Sequence, residues 1–214
     1  MINITQNFND KFNRSKKWRE PNKVYLIFCE WKSEKLYFKY LWNKYGKSVK
    51  CNLLQYKDFK WITEEIKKEI SNSWLDDADE AFCVIDKDNH SEKEYSTNYK
   101  NIAKYSKLIF SSKSFEVWVL MHFSNFERQV QNIEEYRKLI NEKNNRKFFM
   151  KKWINYEVWK PYSEKIWDCL LEKTKDAISN AKIISKKQLK ENKNNKFKCE
   201  PYTDIWDLVS ELIK

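Results

Sequence analysis

The sequence predicts an α/β fold, a parallel β-sheet flanked by helices with a helical elaboration toward the C-terminus. Two observations predict the sheet. VYLIFCE at residues 24–30 and AFCVID at 81–86 are nearly continuous apolar runs, as expected of strands covered on both faces rather than one. Each run is followed by helically spaced apolar residues, so the order β-α-β-α-β-α-β-α emerges between residues 24 and 123.

After the first strand, Ser33 opens a helix with Leu36, Tyr37, Tyr40 and Leu41 as its apolar stripe and Gly46 as its stop. KCNLLQY around 50–56 reads as the second strand, and Trp61, Ile62, Ile66 and Ile70 give 61–74 a helical period. AFCVID is the third strand, YSTNYKNIAKYS a modest helix, KLIFSS at 107–112 the fourth strand, and SFEVWVLMHF at 114–123 an apolar helix. Residues 1–22 form a basic lead, 23–126 the α/β core and 127–214 a basic helical elaboration packing on it. Within the last, KENKNNKFK at 190–198 reads as a solvated loop and EPYTDIWDLVSELIK as an amphipathic helix carrying Ile205, Trp206, Leu208, Val209 and Leu212.

Composition narrows the chemistry. Among 214 residues Gly46 is the single glycine, against an average usage of about 7%. P-loop, dinucleotide-binding and nucleophile-elbow motifs, which need several glycines, are therefore absent. A net charge of +11 favours a polyanionic partner, of which nucleic acid is the commonest, although solubilising charge alone gives the same number. Ten tryptophans and 16% aromatic residues argue for a packed core despite the many Lys and Asn. No stretch approaches a membrane span or a secretory signal, so the expectation is a cytoplasmic protein with no membrane partner. The cysteines Cys29, Cys51, Cys83, Cys169 and Cys199 are scattered without a C-x-x-C pair, which leaves buried thiols as the ordinary reading.

Acids gather where a parallel sheet places its ligands, at the carboxyl ends of strands. Glu30 ends the first strand with Glu34 one helical turn on, and Asp86 and Asp88 end the third, two apart in extended chain and so pointing to one side. Taken singly, each fits a loop cap or a helix-start acid. Their joint occurrence points to hard oxygen ligands for Mg²⁺ or Mn²⁺. Such an ion can bridge a phosphodiester and lower the pKa of an attacking water. Lys32 and Lys87 sit beside these acids, where cations can meet phosphate, and His90 can touch a phosphate or shuttle a proton. His122, on the apolar helix, reads as a satisfied core histidine. Trp153, Tyr156, Trp159 and Tyr162, interleaved with lysines, fit either a single-strand channel or the core of the elaboration.

CEWKSEKLYF from Cys29, CVIDKDNH from Cys83, SSKSFEVWVLMHF from Ser111 and the ending Glu200-Pro201-Tyr202-Thr203 resemble the RloB-like proteins of the Toprim superfamily over nearly the whole chain. The resemblance implies a Toprim fold and a Mg²⁺-dependent nuclease of DNA or RNA, tRNA included, in bacterial anti-phage defence beside another defence-system protein. It matches Glu30 to the Toprim glutamate, Asp86 and Asp88 to its D-x-D, and Glu34 and Ser114-Phe115-Glu116 to the acids of a second metal ion. Lys182 is matched to a later lysine that completes such sites. Two departures stand out. Trp31 replaces a glycine, where it narrows the site or stacks on a base, and Ser112-Lys113 replaces Asn-Pro. Two other readings stay open: a catalytically degenerate nucleic-acid or partner-binding subunit, and a Mg²⁺-dependent phosphohydrolase with Asp86 as nucleophile.

Overall fold

A computed structural model describes residues 23–46, 48–54, 59–72, 80–87, 91–130, 132–147, 167 and 170–214. The lead 1–22 and the aromatics Trp153, Tyr156, Trp159 and Tyr162 lie outside the described residues. Strands β1 (Val24–Cys29), β2 (Ser48–Leu53), β3 (Glu80–Asp86) and β4 (Lys107–Ser111) form one sheet in the order β2-β1-β3-β4, and every pair is parallel. Helices α1 (Lys32–Tyr45), α2 (Phe59–Asn72) and α3 (Glu92–Ile102) make the crossovers. They are followed by α4 (Glu116–Met121), α5 (Ile133–Lys147), α6 (Thr174–Glu191), a 3₁₀ turn (Lys196–Lys198) and α7 (Ile205–Leu212).

Both faces of the sheet are covered, which is why its strands read as continuous apolar runs. Tyr25, Ile27, Cys29, Val49, Phe82, Val84 and Ile109 face a large core shared with α1, α4, α5, α6 and α7. The alternate residues Leu26, Phe28, Cys83 and Ile85 meet Ile62 and Ile66 of α2 and Ile102 of α3. From β1 the chain crosses to β2 on one flank, then returns past β1 to β3 on the other. The crevice between β1 and β3 is therefore the switch point, the place where such sheets bind ligands.

Helix α1 ends as expected, with Gly46 in the left-handed region at φ 68° and its N–H donating to the Trp42 carbonyl. Its buried stripe differs from the expected one. Glu34, Tyr37, Phe38 and Leu41 face the core, while Leu36 and Tyr40 are only partly buried at its edge. Ser91 caps α3 by accepting from the Glu94 N–H, and Glu94 returns a bond to the Ser91 N–H, so that helix starts earlier than its apolar spacing suggested. The expected 114–123 helix is regular only over α4, all six residues of which are buried.

Two expectations about the C-terminal region are corrected. The 190–198 segment is not simply a solvated loop: α6 continues to Glu191, and Phe197 packs against Tyr95 and Phe110. Nor does the final helix begin at Glu200. Thr203 forms an antiparallel bridge with Ser111, Ser112 and Tyr202 exchange two hydrogen bonds of 2.7 Å, and the Asp204 N–H donates to the Phe110 carbonyl. The Glu200–Thr203 motif thus pairs with the C-terminal end of β4, part of an edge that a lone fourth strand would leave open. Helix α7 then buries Ile205, Leu208, Val209 and Leu212, the stripe its spacing predicted.

His122 is the buried core histidine the sequence implied. Its Nδ1–H donates to the Trp118 carbonyl at 3.1 Å, which leaves Nε2 to accept from the Tyr37 hydroxyl at 3.3 Å. Burial pulls its pKa down to about 4. The unfolded chain, with an ordinary imidazole, binds the proton more tightly, so stability is lost as pH falls from about 6.5 through about 4. The expected loss is about 3 kcal/mol over that window. Urea titrations at intervals from pH 7 to 4 should show it, and His122→Gln should flatten that part of the profile.

Lys113 stands at φ 62°, left-handed. Proline, locked near −65°, cannot adopt that angle, so lysine at this position accompanies a different turn from the Asn-Pro it replaces. Lys113→Pro should destabilise the fold by at least about 2 kcal/mol, read as a lower urea midpoint with an unchanged slope. An unaltered midpoint would show the turn to be indifferent to φ.

Candidate carboxylate site

The sheet order sets the site. Because Cys29 of β1 is level with Val84 of β3, the chain leaves both strands side by side at Glu30 and Asp86. The Asp86 N–H points to Glu30 Oε2 at 3.4 Å. Asp86 also pairs in register with Ser111 of β4, and the Lys87 N–H donates to the Ser111 carbonyl. Alternation along β3 puts Asp86 on the same sheet face as Phe82 and Val84, the face covered by α1 and α4.

From that layer come two more acids. Glu34 lies on the inward stripe of α1, fully buried, where helical spacing calls for an apolar residue. Its Oε2 accepts from the N–H groups of Glu30 at 2.8 Å and Trp31 at 3.1 Å, satisfying donors at the start of the helix. Its Oε1, also buried, makes no hydrogen bond. Burial, reinforced by the nearby charges of Glu30 and Glu116, holds the Glu34 carboxyl well above the ordinary range, against the lowering pull of the two N–H bonds. Glu116 opens α4 and is 4% exposed, with Arg137 Nε of α5 at 4.0 Å from Oε1. Ser114, just before it, has a buried hydroxyl with no hydrogen bond.

Among the expected residues the structure therefore brings Glu30, Glu34, Asp86 and Glu116 to one end of the sheet, with Ser114 beside Glu116. Asp88 and His90 lie outside the described residues. Trp31 is half-buried at the N-cap of α1, at φ −121° and ψ 155°. That is ordinary extended backbone, so the turn itself has no need of the glycine that tryptophan replaces. Lys32 is exposed on the first turn. Lys87 turns its ammonium over the Phe197 ring, 4.5 Å from the centroid. Lys182 is exposed on α6 with its ammonium 5.6 Å from the Trp206 ring of α7, a contact between helices rather than with the acids.

Arg137 was not foreseen. In EEYRKLINEK it is one cation among several, and only the packing of α5 on α4 turns it toward Glu116. Its guanidinium also donates to Glu134 at 2.8 Å.

A divalent cation fits this site in donor chemistry: the ligands are hard carboxylate oxygens, and buried charges are ordinarily paired or coordinate metals. Glu34 Oε1 supplies a buried acceptor with nothing to accept. As they stand, no three His, Cys, Asp or Glu side chains among the described residues are gathered closely enough to hold a metal ion. Also among them, no helix is long and apolar enough to cross a membrane, and Cys29, Cys51, Cys83 and Cys199 carry free thiols.

The fold and site define a class: a parallel α/β protein with buried acids at its switch point. A family model described as RloB-like protein matches residues 25–212, and the chain belongs to that family. No curated protein and no solved structure gives a significant match.

Since the folded chain holds the Glu34 proton more tightly than the unfolded chain, ionising Glu34 destabilises the fold, and stability falls as pH rises above the ordinary carboxylate range. Glu34→Gln keeps an oxygen for both N–H groups and removes the charge. In EDTA at pH 8 it should raise Tm by about 2–4 °C, corresponding to about 1 kcal/mol, and the gain should shrink toward pH 5. A Tm equal to or below wild type at pH 8 would show that the buried charge is compensated.

Proposed function

We propose that this protein is a Mg²⁺- or Mn²⁺-dependent hydrolase of phosphodiester bonds in DNA or RNA. One observation carries the reading: Glu34, Asp86 and Glu116, each under 5% exposed, lie with Glu30 at the carboxyl end of β1 and β3. A fold that existed only to be stable would not place three carboxyl groups out of water there, since burying ionisable groups costs stability.

Glu30, Asp86 and Asp88 would hold the ion, with Glu34 and Glu116 toward a second. When bound, the metal polarises the phosphodiester and makes water a nucleophile at neutral pH. The protein orients the rest. Glu34 fixes the turn that carries Glu30 through its two N–H bonds. The Asp86 N–H steadies the Glu30 carboxylate, which moves a proton at the reacting oxygen. Arg137 holds Glu116 and offers a cation to a phosphate oxygen. Membership of the RloB-like family and the Toprim-like motifs support a role in anti-phage defence, with a protein of the same system as partner.

The described carboxylates are not gathered into a ligating group, which favours a second reading, a subunit that binds nucleic acid without cleaving it. End-labelled single- and double-stranded DNA, tRNA and total RNA with Mn²⁺ separate the two. Cleavage should need the metal, and Asp86→Asn should lower the rate by more than the about 10–100-fold typical of losing a supporting residue. Metal-dependent products from Asp86→Asn at the wild-type rate would sink the hydrolase. Salt-sensitive binding with no product in Mg²⁺ or Mn²⁺ would establish the binding subunit.

A further inference from the structure

Between α3 and the 3₁₀ turn lies a cavity of about 370 Å³, walled by Tyr95, Tyr99 and Phe197 and rimmed by Lys100, Lys196 and Asn194. The Tyr99 ring is 43% exposed, with its centroid 6.0 Å from that of Tyr95, and the Tyr95 and Phe197 centroids are 5.7 Å apart. The carboxylate on its wall, Glu92, is engaged by the Asn195 side-chain amide at 2.7 Å, which ties the turn to the start of α3. Tyr95 and Phe197 are anchored in turn on Phe110 of β4, so two of the aromatic walls are fixed to the sheet rather than carried on a loose loop.

Lys87 links the cavity to the carboxylates. The Phe197 ring that walls it also receives the Lys87 ammonium, and Lys87 directly follows Asp86. A ligand spanning the two places would meet acids at one end, then Lys87, then an aromatic slot flanked by Lys100. That is the order of groups that suits a phosphodiester, the next phosphate along the backbone and a base. Aromatic faces stack bases of any sequence, and ammonium groups beside them meet the backbone. The volume suits a small planar ligand and not a duplex.

We propose that this cavity receives one nucleobase of a single-stranded nucleic acid, stacked on Tyr99 and Phe197, next to the phosphodiester presented to Glu30 and Asp86. The proposal rests on the reading above that the substrate is a nucleic acid. A base must leave its stack to enter the cavity, so single strands, loops and frayed ends are favoured over paired DNA. Tyr99, the exposed wall, carries the stacking and Lys100 contributes charge, whereas the Lys196 ammonium is ion-paired with Asp204 at 2.8 Å.

The test is binding in EDTA, where nothing is cleaved, using a short single strand with one 2-aminopurine. Wild type should bind it and quench the fluorescence. Tyr99→Ala should weaken binding about tenfold, lose the quenching and keep the salt dependence, while Tyr99→Phe retains both affinity and quenching. Lys100→Ala should keep the quenching and reduce the slope of log affinity against log salt by about 0.7. Wild-type affinity or quenching in Tyr99→Ala, equal affinity for a duplex of the same sequence, or no binding by wild type overturns the proposal. The two ideas fail separately. Tyr99-dependent binding without cleavage would remove the hydrolase and leave the base site; cleavage abolished by Asp86→Asn, with binding indifferent to Tyr99, would do the reverse.

Discussion

Carboxyl groups held out of water at the end of two neighbouring strands are the constraint around which this structure is organised. Glu34 occupies a place on the inward stripe of α1 that packing alone would give to leucine or phenylalanine. Around it the protein supplies backbone N–H groups, and it sets Glu30 and Glu116 close enough to oppose its ionisation. Such an arrangement is stable only because the surrounding core is extensive and rigid. Tyr37, Phe115, Trp118 and Trp167 pack edge to face one turn further into the same layer.

The C-terminal region is part of that support. Helix α4, which presents Glu116, is short and buried on every side, and it cannot hold its place by its own hydrogen bonds. Helices α5 and α6 pack on it. The Asn180 side-chain amide donates to the Met121 carbonyl, and Ser185 of α6 donates to the Thr203 carbonyl, where the chain bridges back to Ser111. Segments distant in sequence thus converge on the few residues after β4 that carry Ser114 and Glu116. Truncating the chain after α6 would open the β4 edge as well as remove a helix.

With a net charge of +11 the chain has lysine to spare, yet the carboxylates cluster at the switch point, and the cation 4.0 Å from Glu116 is an arginine shared with Glu134. Local negative charge within a positive protein is what a metal-assisted reaction on a phosphodiester calls for. Under the proposed reaction that long-range field would draw in the strand, and a bound ion would offset the repulsion between the strand and the acids. On the other sheet face, between α3 and the 3₁₀ turn, aromatic and lysine side chains line a cavity whose Phe197 wall receives the Lys87 ammonium.

Strands β1 and β3, their place in a βα alternation, the Gly46 stop and the inward stripe of α7 follow from the sequence by itself, since apolar period and cap chemistry are local properties. So do the positions of Glu30, Glu34 and Asp86, because each stands at the end of a strand or the start of a helix, whereas Glu116 was marked only by the resemblance of Ser114-Phe115-Glu116 to a family motif. Glu34 was legible as a first-turn acid but not as a buried one: its orientation depends on how α1 rolls against the sheet. Three things belong to the tertiary structure alone. The strand order β2-β1-β3-β4 makes Glu30 and Asp86 neighbours, and no local signal encodes which strands pair. The turn of α5 toward α4 selects Arg137 from a run of cations. The pairing of Thr203 with Ser111 makes a stretch that reads as the start of a helix into an extended bridge to the end of β4. Each depends on contacts between residues far apart in the chain, and periodicity records only which face of an element is buried, never what it is buried against.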